Sequence, residues 1–160
     1  RKRRSGRMGK KRSRRGERTR PEFDNKIVSI RRVTRVVAGG RRFSFSVSLV
    51  AGDRKGRVGL GQGKSTDTPL AIEKALRSAK KKMITVNTTK DMSIPHKVQA
   101  KFKGSEVLIM PAPGRGILAG SSVRTVLEMA GLSGINAKIQ MNNAKVAIEA
   151  LKKLPKTKKK

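Results

Sequence analysis

The sequence predicts an α+β protein of two small domains, and three observations support this. The 160 residues suffice for one ordinary domain or two small ones. Strand-like alternation precedes a helical stripe in the first half, whereas strands and helices alternate in the second. A polar stretch over residues 87–95 interrupts both patterns. We therefore expect a basic arm over residues 1–22, a β-β-β-α domain over 23–88, a linker over 89–96, a βαβα domain over 97–153 and a Lys-rich tail over 154–160.

Two strands joined by a glycine loop are predicted at the start of the first domain. Residues 26–37 are rich in β-branched side chains, which favour a strand. Residues 38–42 form a glycine loop with two arginines at its exit. Residues 43–50 alternate strictly between apolar residues and serines, as in a half-buried antiparallel strand. This alternation assigns Phe43 and Phe45 to the core, and the alternative is that they are stacking platforms for bases.

A turn, a third strand and a helix complete the predicted first domain. Asp53–Gly56 has the Asp and Gly positions of a type I turn. A strand then runs through Val58 and Leu60. Thr68 and Pro69 fit the N-cap and the first position of a helix that reaches about residue 86. The apolar stripe of this helix consists of Ile72, Ala75, Leu76, Ala79 and Met83.

The second domain is predicted to begin with strands near residues 97–102 and 106–110. A glycine-rich loop leads into a helix that ends at Gly131. A strand over residues 135–141 and a helix from about 143 to 154 follow. We expect each domain to have a small core of its own.

The charge of the chain indicates a polyanionic partner. The net charge is +31, and residues 1–20 hold 12 basic residues and one acidic residue. Such a surface attracts phosphate polymers and releases their counterions on binding. Both termini are too charged and too poor in apolar residues to fold alone, so we expect disordered arms that order on a polyanion. An Arg-rich transit or nuclear signal is the alternative for the first segment.

Composition also argues against several classes of site. The chain has no Cys and a single histidine, His96, which argues against zinc sites, iron–sulfur sites and disulfides. No apolar run approaches the ~20 residues of a membrane span. His96 fits a structural or RNA-facing role better than a catalytic one, because no Ser-His-Asp grouping can be argued from spacing.

Two stretches superficially resemble phosphate-binding loops. Residues 57–66 end in Lys-Ser, but a Walker A loop needs glycine where Val58 stands. Their alternate glycines instead predict a strand that another backbone approaches closely, with Lys64 near an RNA phosphate. Residues 113–123 are similar to the loop of galactokinase-type small kinases, but few carboxylates could hold Mg²⁺. A plain loop with a Ser N-cap is the alternative. We expect no enzyme activity, no cofactor and no small-molecule substrate.

Five stretches carry a resemblance to a known family, and they are residues 33–47, 52–64, 69–84, 94–98 and 114–138. Through these stretches the chain resembles the small-subunit ribosomal protein S-five family of bacterial or organellar type. The family implies a first domain like a double-stranded-RNA-binding domain without its first helix, and a second domain with the small-kinase fold. The family loop near residues 112–116 is one residue shorter here and carries Arg115 in place of an acid. Residues 142–150 also depart from the family, which has an Asn-Pro-Ile-Asn loop there that contacts rRNA. The resemblance implies that Lys145 replaces this contact in part.

The resemblance implies rRNA binding, contacts with the neighbouring proteins S-four and S-eight, and a position near the mRNA entry pore. The expected RNA-binding residues are Arg35, Gly39, Gly40, Arg41, Arg42, Arg54, Lys55, Arg57, Lys64 and Lys81. Arg115, Gly116 and Arg124 are expected at a protein interface that affects decoding fidelity. Arg124 lies off the apolar stripe of its helix near the N-terminus, where the helix dipole disfavours a cation, so we expect an external anion beside it.

The predicted function is therefore that of a structural constituent of the small ribosomal subunit, cytoplasmic or organellar. It would support assembly, mRNA entry and translational accuracy. The first alternative is a free double-stranded-RNA-binding protein or RNA chaperone. A small kinase that binds ATP is the second alternative.

Overall fold

The computed structural model describes residues 22–141 and 143–154, and within them it confirms an α+β fold with two sheets. The elements are β1 (Asp24–Val37), β2 (Gly40–Gly52), β3 (Arg57–Ser65), α1 (Thr68–Lys81), β4 (Ile84–Thr85), β5 (Val98–Phe102), β6 (Ser105–Pro111), β7 (Ile117–Leu118), α2 (Ser121–Ala130), β8 (Ile135–Gln140) and α3 (Ala144–Lys152). The first sheet has the order β1-β2-β3-β4 and the second β5-β6-β8-β7. Most of the predicted arm and tail lies outside the described residues.

A long β-hairpin projects from the first sheet. Val37 pairs with Gly40, so the predicted glycine loop is a turn of two residues, Ala38 and Gly39. The two arginines that follow belong to β2 rather than to a loop. Because β3 pairs with β2 only as far as Phe45, the distal hairpin is a two-stranded ribbon. We call the part over residues 34–44 the distal ribbon.

The glycine ladder of β3 brings helix α1 against the sheet, as predicted. A Cβ atom on Gly59, Gly61 or Gly63 would collide with a backbone carbonyl of α1. These carbonyls belong to Ala79, Ala75 and Ala71, respectively, and all three alanines are buried. Small residues on both surfaces therefore let the helix axis lie closer to the strand than ordinary side chains permit.

Several local predictions were wrong. The N-cap of α1 is Asp67 rather than Thr68, and α1 ends at Lys81 because residues 84–85 join the sheet as β4. Arg54 has a φ of 57°, which a type I turn excludes at its second position. The N-cap of α2 is Gly120, so no serine caps that helix. These errors concern the ends of α1 and α2 and the conformation of one turn. The ends of helices are the least certain part of such a prediction.

Phe43 also departs from its prediction, because it remains 45% exposed. Phe45 on the same face is half-buried and packs on the small core formed by β2 and α1. The alternation in β2 is real, but α1 covers only the part of this face nearer the turn between β2 and β3. The distal end of the strand lies beyond the helix, which leaves the Phe43 ring in solvent.

A larger core joins the two sheets. Val50 and Val58 of the first sheet belong to the same buried cluster as the apolar faces of α2, α3 and β6. The first half has a small core of its own, as expected, but the core of the second half is not separate, because Val50 and Val58 of the first sheet belong to it. Val50 lies on the same face of β2 as Ser46 and Ser48. Because this position holds a valine where the pattern would place another serine, the face becomes apolar there and the second half packs on it.

The C-terminal end of α2 joins the two halves through backbone hydrogen bonds. Gly131 adopts a left-handed conformation with φ of 75°, and Leu132 donates from its backbone N–H to the Leu127 carbonyl at 3.0 Å. Backbone N–H groups of the turn between β2 and β3 donate to the last two carbonyls of α2. Arg54 donates to the Met129 oxygen at 3.1 Å and Gly56 to the Ala130 oxygen at 2.9 Å. Backbone groups of one half thus complete the helix end of the other.

Candidate nucleic-acid interface

The distal ribbon exposes cations on both of its faces. Arg35 pairs with Arg42 in the antiparallel register, so these two side chains share a face. Arg41 pairs with Val36 and lies on the opposite face. All three arginines are exposed, and none is ion-paired to a carboxylate of the described residues.

The tip of the ribbon has open space around its backbone. A Cβ atom on Gly39 or Gly40 would meet no atom within 4 Å. Gly40 has a φ of 125°, which L side chains rarely adopt. The tip of the ribbon is therefore narrow and has free space around it. Such a tip suits insertion between other molecular surfaces.

Two further arginines that the sequence argument missed lie beside this set. The Arg32 guanidinium stacks over the Phe43 ring, with 4.6 Å from Cζ to the ring centroid. Arg31 pairs with Ser46, whose partner on its other side is Lys64. Arg31 and Lys64 therefore lie on the serine face, one strand to either side of Ser46. The strand register reveals this grouping, which linear spacing does not.

The remaining predicted RNA-binding cations lie at the opposite end of the first sheet. β2 has 13 residues between the two ends, which corresponds to about 40 Å at the rise of a strand. The structure places Arg54, Lys55 and Arg57 at the turn between β2 and β3. Lys81 lies in the last turn of α1, which runs antiparallel to β3 and so ends near this turn. Apart from Lys64 on the serine face, the ten predicted residues are thus divided between two separate surfaces.

Internal ion pairs engage two of these turn cations. Arg54 Nε lies 3.2 Å from the Asp24 carboxylate, and Arg57 Nε lies 2.7 Å from the Asp53 carboxylate. The other Asp53 oxygen accepts from the backbone N–H groups of Lys55 and Arg57 at 2.8 and 3.0 Å. Burial alone would raise the pKa of Asp53, but these hydrogen bonds and the Arg57 charge lower it below its ordinary value. The side chains of Arg54 and Arg57 therefore stabilise the turn.

Phe23 packs beneath the same cations. The Arg57 guanidinium lies 5.1 Å and the Lys80 ammonium 5.7 Å from the centroid of this buried ring. Such contacts orient the cationic heads while leaving them accessible at the surface. We call Lys55, Arg57, Lys80 and Lys81 the turn cluster.

The predicted protein-interface residues lie in the second half and are exposed. Gly116 has a φ of 66°, and its carbonyl accepts from the Ile135 backbone N–H at 2.8 Å. Arg115 precedes it in the same exposed loop. Arg124 lies one helical turn before Glu128, whose pKa is lowered chiefly by its hydrogen bond with Lys26 and further by the charge of Arg124. The chain itself thus supplies an anion near Arg124, and its position does not require an external one.

Other candidate sites gain no support from the described residues. His96 is exposed after Pro95. Among residues 22–141 and 143–154, no three potential metal-ligating side chains lie together. Within the same ranges, no helix is long and apolar enough to cross a membrane.

Comparison with known proteins identifies the family. Residues 23–87 match the family described as "Ribosomal protein S5, N-terminal domain", and residues 100–159 match "Ribosomal protein S5, C-terminal domain". The chain is 46% identical over 139 residues to small ribosomal subunit protein uS5c of Rhodomonas salina, covering 83% of each chain. It is 40% identical over 153 residues to uS5c of Emiliania huxleyi, covering 92% of this chain and 96% of that protein.

Some relatives are longer. Small ribosomal subunit protein uS5 of Mycoplasmopsis agalactiae is 47% identical over 128 residues, which cover 79% of this chain and 55% of that protein. The chain therefore spans about half the length of this relative. Both halves of the fold are nevertheless matched, and the identities extend over most of the described residues. The chain belongs to the ribosomal protein S5 family.

Proposed function

We propose that this chain is a structural constituent of the small ribosomal subunit that binds small-subunit rRNA, in the cytoplasm or in an organelle. Membership of the ribosomal protein S5 family is the observation that carries the proposal. The net charge of +31 and the unpaired cations of the distal ribbon support it physically. A free RNA chaperone is not favoured, because the relatives bear the names of ribosomal subunit proteins.

We assign different roles to the two basic surfaces. The ribbon, with Arg35, Arg41 and Arg42 around its glycine tip, inserts among rRNA backbones. The turn cluster binds phosphates at the other end of the sheet, about 40 Å away. Lys64 contributes between them on the serine face. Surfaces this far apart suit an assembly role, because one protein then fixes the distance between two RNA segments.

Contacts with other proteins form the finer part of the proposal. Arg115, Gly116 and Arg124 face a neighbouring protein of the S-four type, and the chain also contacts a protein of the S-eight type. The ribbon lies toward the path of entering mRNA. Weakening the first interface would favour closure of the subunit around a codon and raise misreading. Arg124→Leu should therefore increase stop-codon readthrough, and unchanged readthrough with normal assembly would contradict this role.

Sedimentation tests the main proposal. The chain should cosediment stoichiometrically with small subunits through a sucrose gradient in high salt. Material that stays at the top of the gradient yet binds duplex RNA would support the free RNA-binding alternative. Binding to an rRNA fragment should also weaken steeply with salt, by roughly 0.9 in log–log slope for each phosphate contact on a duplex.

We further propose that neither glycine-rich stretch binds nucleotide. The collisions that a Cβ would make at Gly59, Gly61 and Gly63 show that α1 already fills the space beside that strand. Calorimetry at millimolar ATP should show no saturable heat. Saturable binding that disappears in Lys64→Ala would revive the kinase alternative.

A further inference from the structure

A cleft with two adjoining compartments lies between the two halves of the molecule. Its first compartment, about 370 Å³, lies between the serine face of the first sheet and the starts of α2 and α3. Its second compartment, about 660 Å³, lies between the end of α1 and the face of α3. Leu60, Gln62 and Lys145 line both compartments, so the two are adjoining parts of one cleft. Ligand pockets range from ~300 to ~1,000 Å³, so each compartment is large enough for part of a polymer.

The first compartment offers hydrogen-bonding groups and positive charge. Its lining includes Ser29, Ser46, Ser48 and Ser122, together with Arg31 and Lys145. A hydroxyl group both donates and accepts, and so suits ribose hydroxyls as well as phosphate oxygens. No carboxylate is present among the described residues that line this compartment. This chemistry fits a sugar–phosphate backbone.

The second compartment has an apolar floor with cations at its rim. Leu60, Met83, Ile84 and Phe102 are half-buried, so the floor remains open to a ligand. Lys145 lies over Phe102, with Nζ 5.9 Å from the ring centroid. Glu149 is the one carboxylate among the described lining residues, and Lys152 pairs with it at 3.1 Å. An apolar surface with an aromatic ring and nearby cations suits an unstacked nucleobase.

We infer that this cleft binds a single strand of RNA, with the backbone in the serine-lined compartment and one base against the floor around Phe102. The inference rests on the proposed rRNA-binding function and adds a site separate from the distal ribbon and the turn cluster. Lys145 links the two compartments and contacts both parts of the ligand. An extended acidic peptide is a weaker fit, because it offers no planar group for the apolar floor.

The test compares two RNA probes on the full chain. One is a blunt RNA hairpin, and the other is the same hairpin with a single-stranded oligouridine tail that carries 4-thiouridine. The tail should increase affinity about tenfold through stacking and phosphate contacts, and on irradiation it should crosslink near Phe102. Lys145→Ala and Phe102→Leu should abolish this gain while leaving affinity for the blunt hairpin unchanged. Phe102→Leu removes the ring but keeps an apolar side chain at this half-buried position, so the fold should be preserved.

Lys138→Ala is the matched control, because Lys138 is an exposed lysine on β8 outside both compartments. It should retain the full gain from the tail. If the blunt hairpin binds but the tail adds nothing, or if the gain persists in both cleft variants, the cleft inference fails alone. If neither probe binds, the proposed function fails as well. Displacement of the tail by an oligoglutamate peptide as effectively as by free oligouridine would overturn the assignment to RNA.

Discussion

At the scale of single residues, Asp53 organises the turn between β2 and β3. Its side chain is only 9% exposed and accepts hydrogen bonds from Lys55 and Arg57. These bonds shape the turn whose Arg54 and Gly56 amides complete the end of α2. One carboxylate therefore supports both the turn cluster and the junction between the halves.

Asp53→Asn should destabilise the protein by about 1.5–3 kcal/mol at neutral pH, because bonds to a charged acceptor are replaced by weaker ones. The pKa of Asp53 is depressed in the folded state, so its stabilisation is complete above the unfolded value of about 3.9 and is lost as pH falls below it. Urea unfolding at pH 7 and near pH 3 measures both effects. A stability difference from the wild type that is the same at both pH values would contradict this account.

At the scale of elements, the contact between β3 and α1 determines how the first half packs. The glycine side of β3 allows backbone-to-backbone approach, and the buried alanines of α1 supply the matching surface. A strand with larger residues would displace the helix and open the small core beneath it.

Gly61→Ala should cost about 3 kcal/mol or more, because its Cβ would overlap the Ala75 carbonyl and neither backbone can move freely. Gly39→Ala is the matched control, since nothing lies within 4 Å of the added atom. Chemical denaturation of both variants should show a large shift only for the first. Equal shifts would mean that the packing at the ladder is loose.

The ribbon allows a second prediction at this scale. Arg35→Glu with Arg42→Glu places two acids on one face of an exposed ribbon that bears no core residues. The protein should remain folded, but affinity for an rRNA fragment should fall at least about tenfold, because attraction to phosphates becomes repulsion. Lys101→Glu with Lys138→Glu makes the same charge change on exposed residues of the second sheet and should have a smaller effect. Equal losses would show that net charge alone governs binding.

At the scale of the whole molecule, the two halves pack against each other through a shared core. The larger core includes Val50 and Val58 from the first sheet, and Lys26 pairs with Glu128 across the junction at 3.0 Å. The turn end of the first sheet, which carries the turn cluster, is therefore packed against the second half. The predicted division at residues 23–88 and 97–153 remains a prediction about how the chain folds.

Gly131→Ala should loosen both halves together. The added Cβ would collide with the Arg54 carbonyl, in addition to the strain of a left-handed conformation, which costs roughly 1–2 kcal/mol. Gly116→Ala, with a similar φ and nothing within 4 Å, isolates the strain from the collision. Hydrogen exchange should then accelerate in both β2 and β6 for Gly131→Ala and much less for Gly116→Ala. Faster exchange in β6 alone would indicate independent halves.

Local patterns in the sequence predicted most of the element types, and the charge of the chain predicted a polyanionic partner. The alternation in residues 43–50, the alternate glycines of β3 and the glycine that ends α2 each depend on nearby residues, so they could be predicted directly. The charge of the chain likewise follows from composition alone. Resemblance in the sequence also identified the family, which the comparisons confirm.

Only the tertiary structure decided which residues act together. Arg41 and Arg42 are adjacent in sequence yet face opposite sides, whereas Arg31 and Lys64 are 33 positions apart and share a face. Arg54 and Arg57 form ion pairs with Asp24 and Asp53, and no pattern in the sequence predicted these pairs. Strand register, the extent of helix coverage and packing between the halves depend on contacts distant in sequence, and no local pattern encodes them.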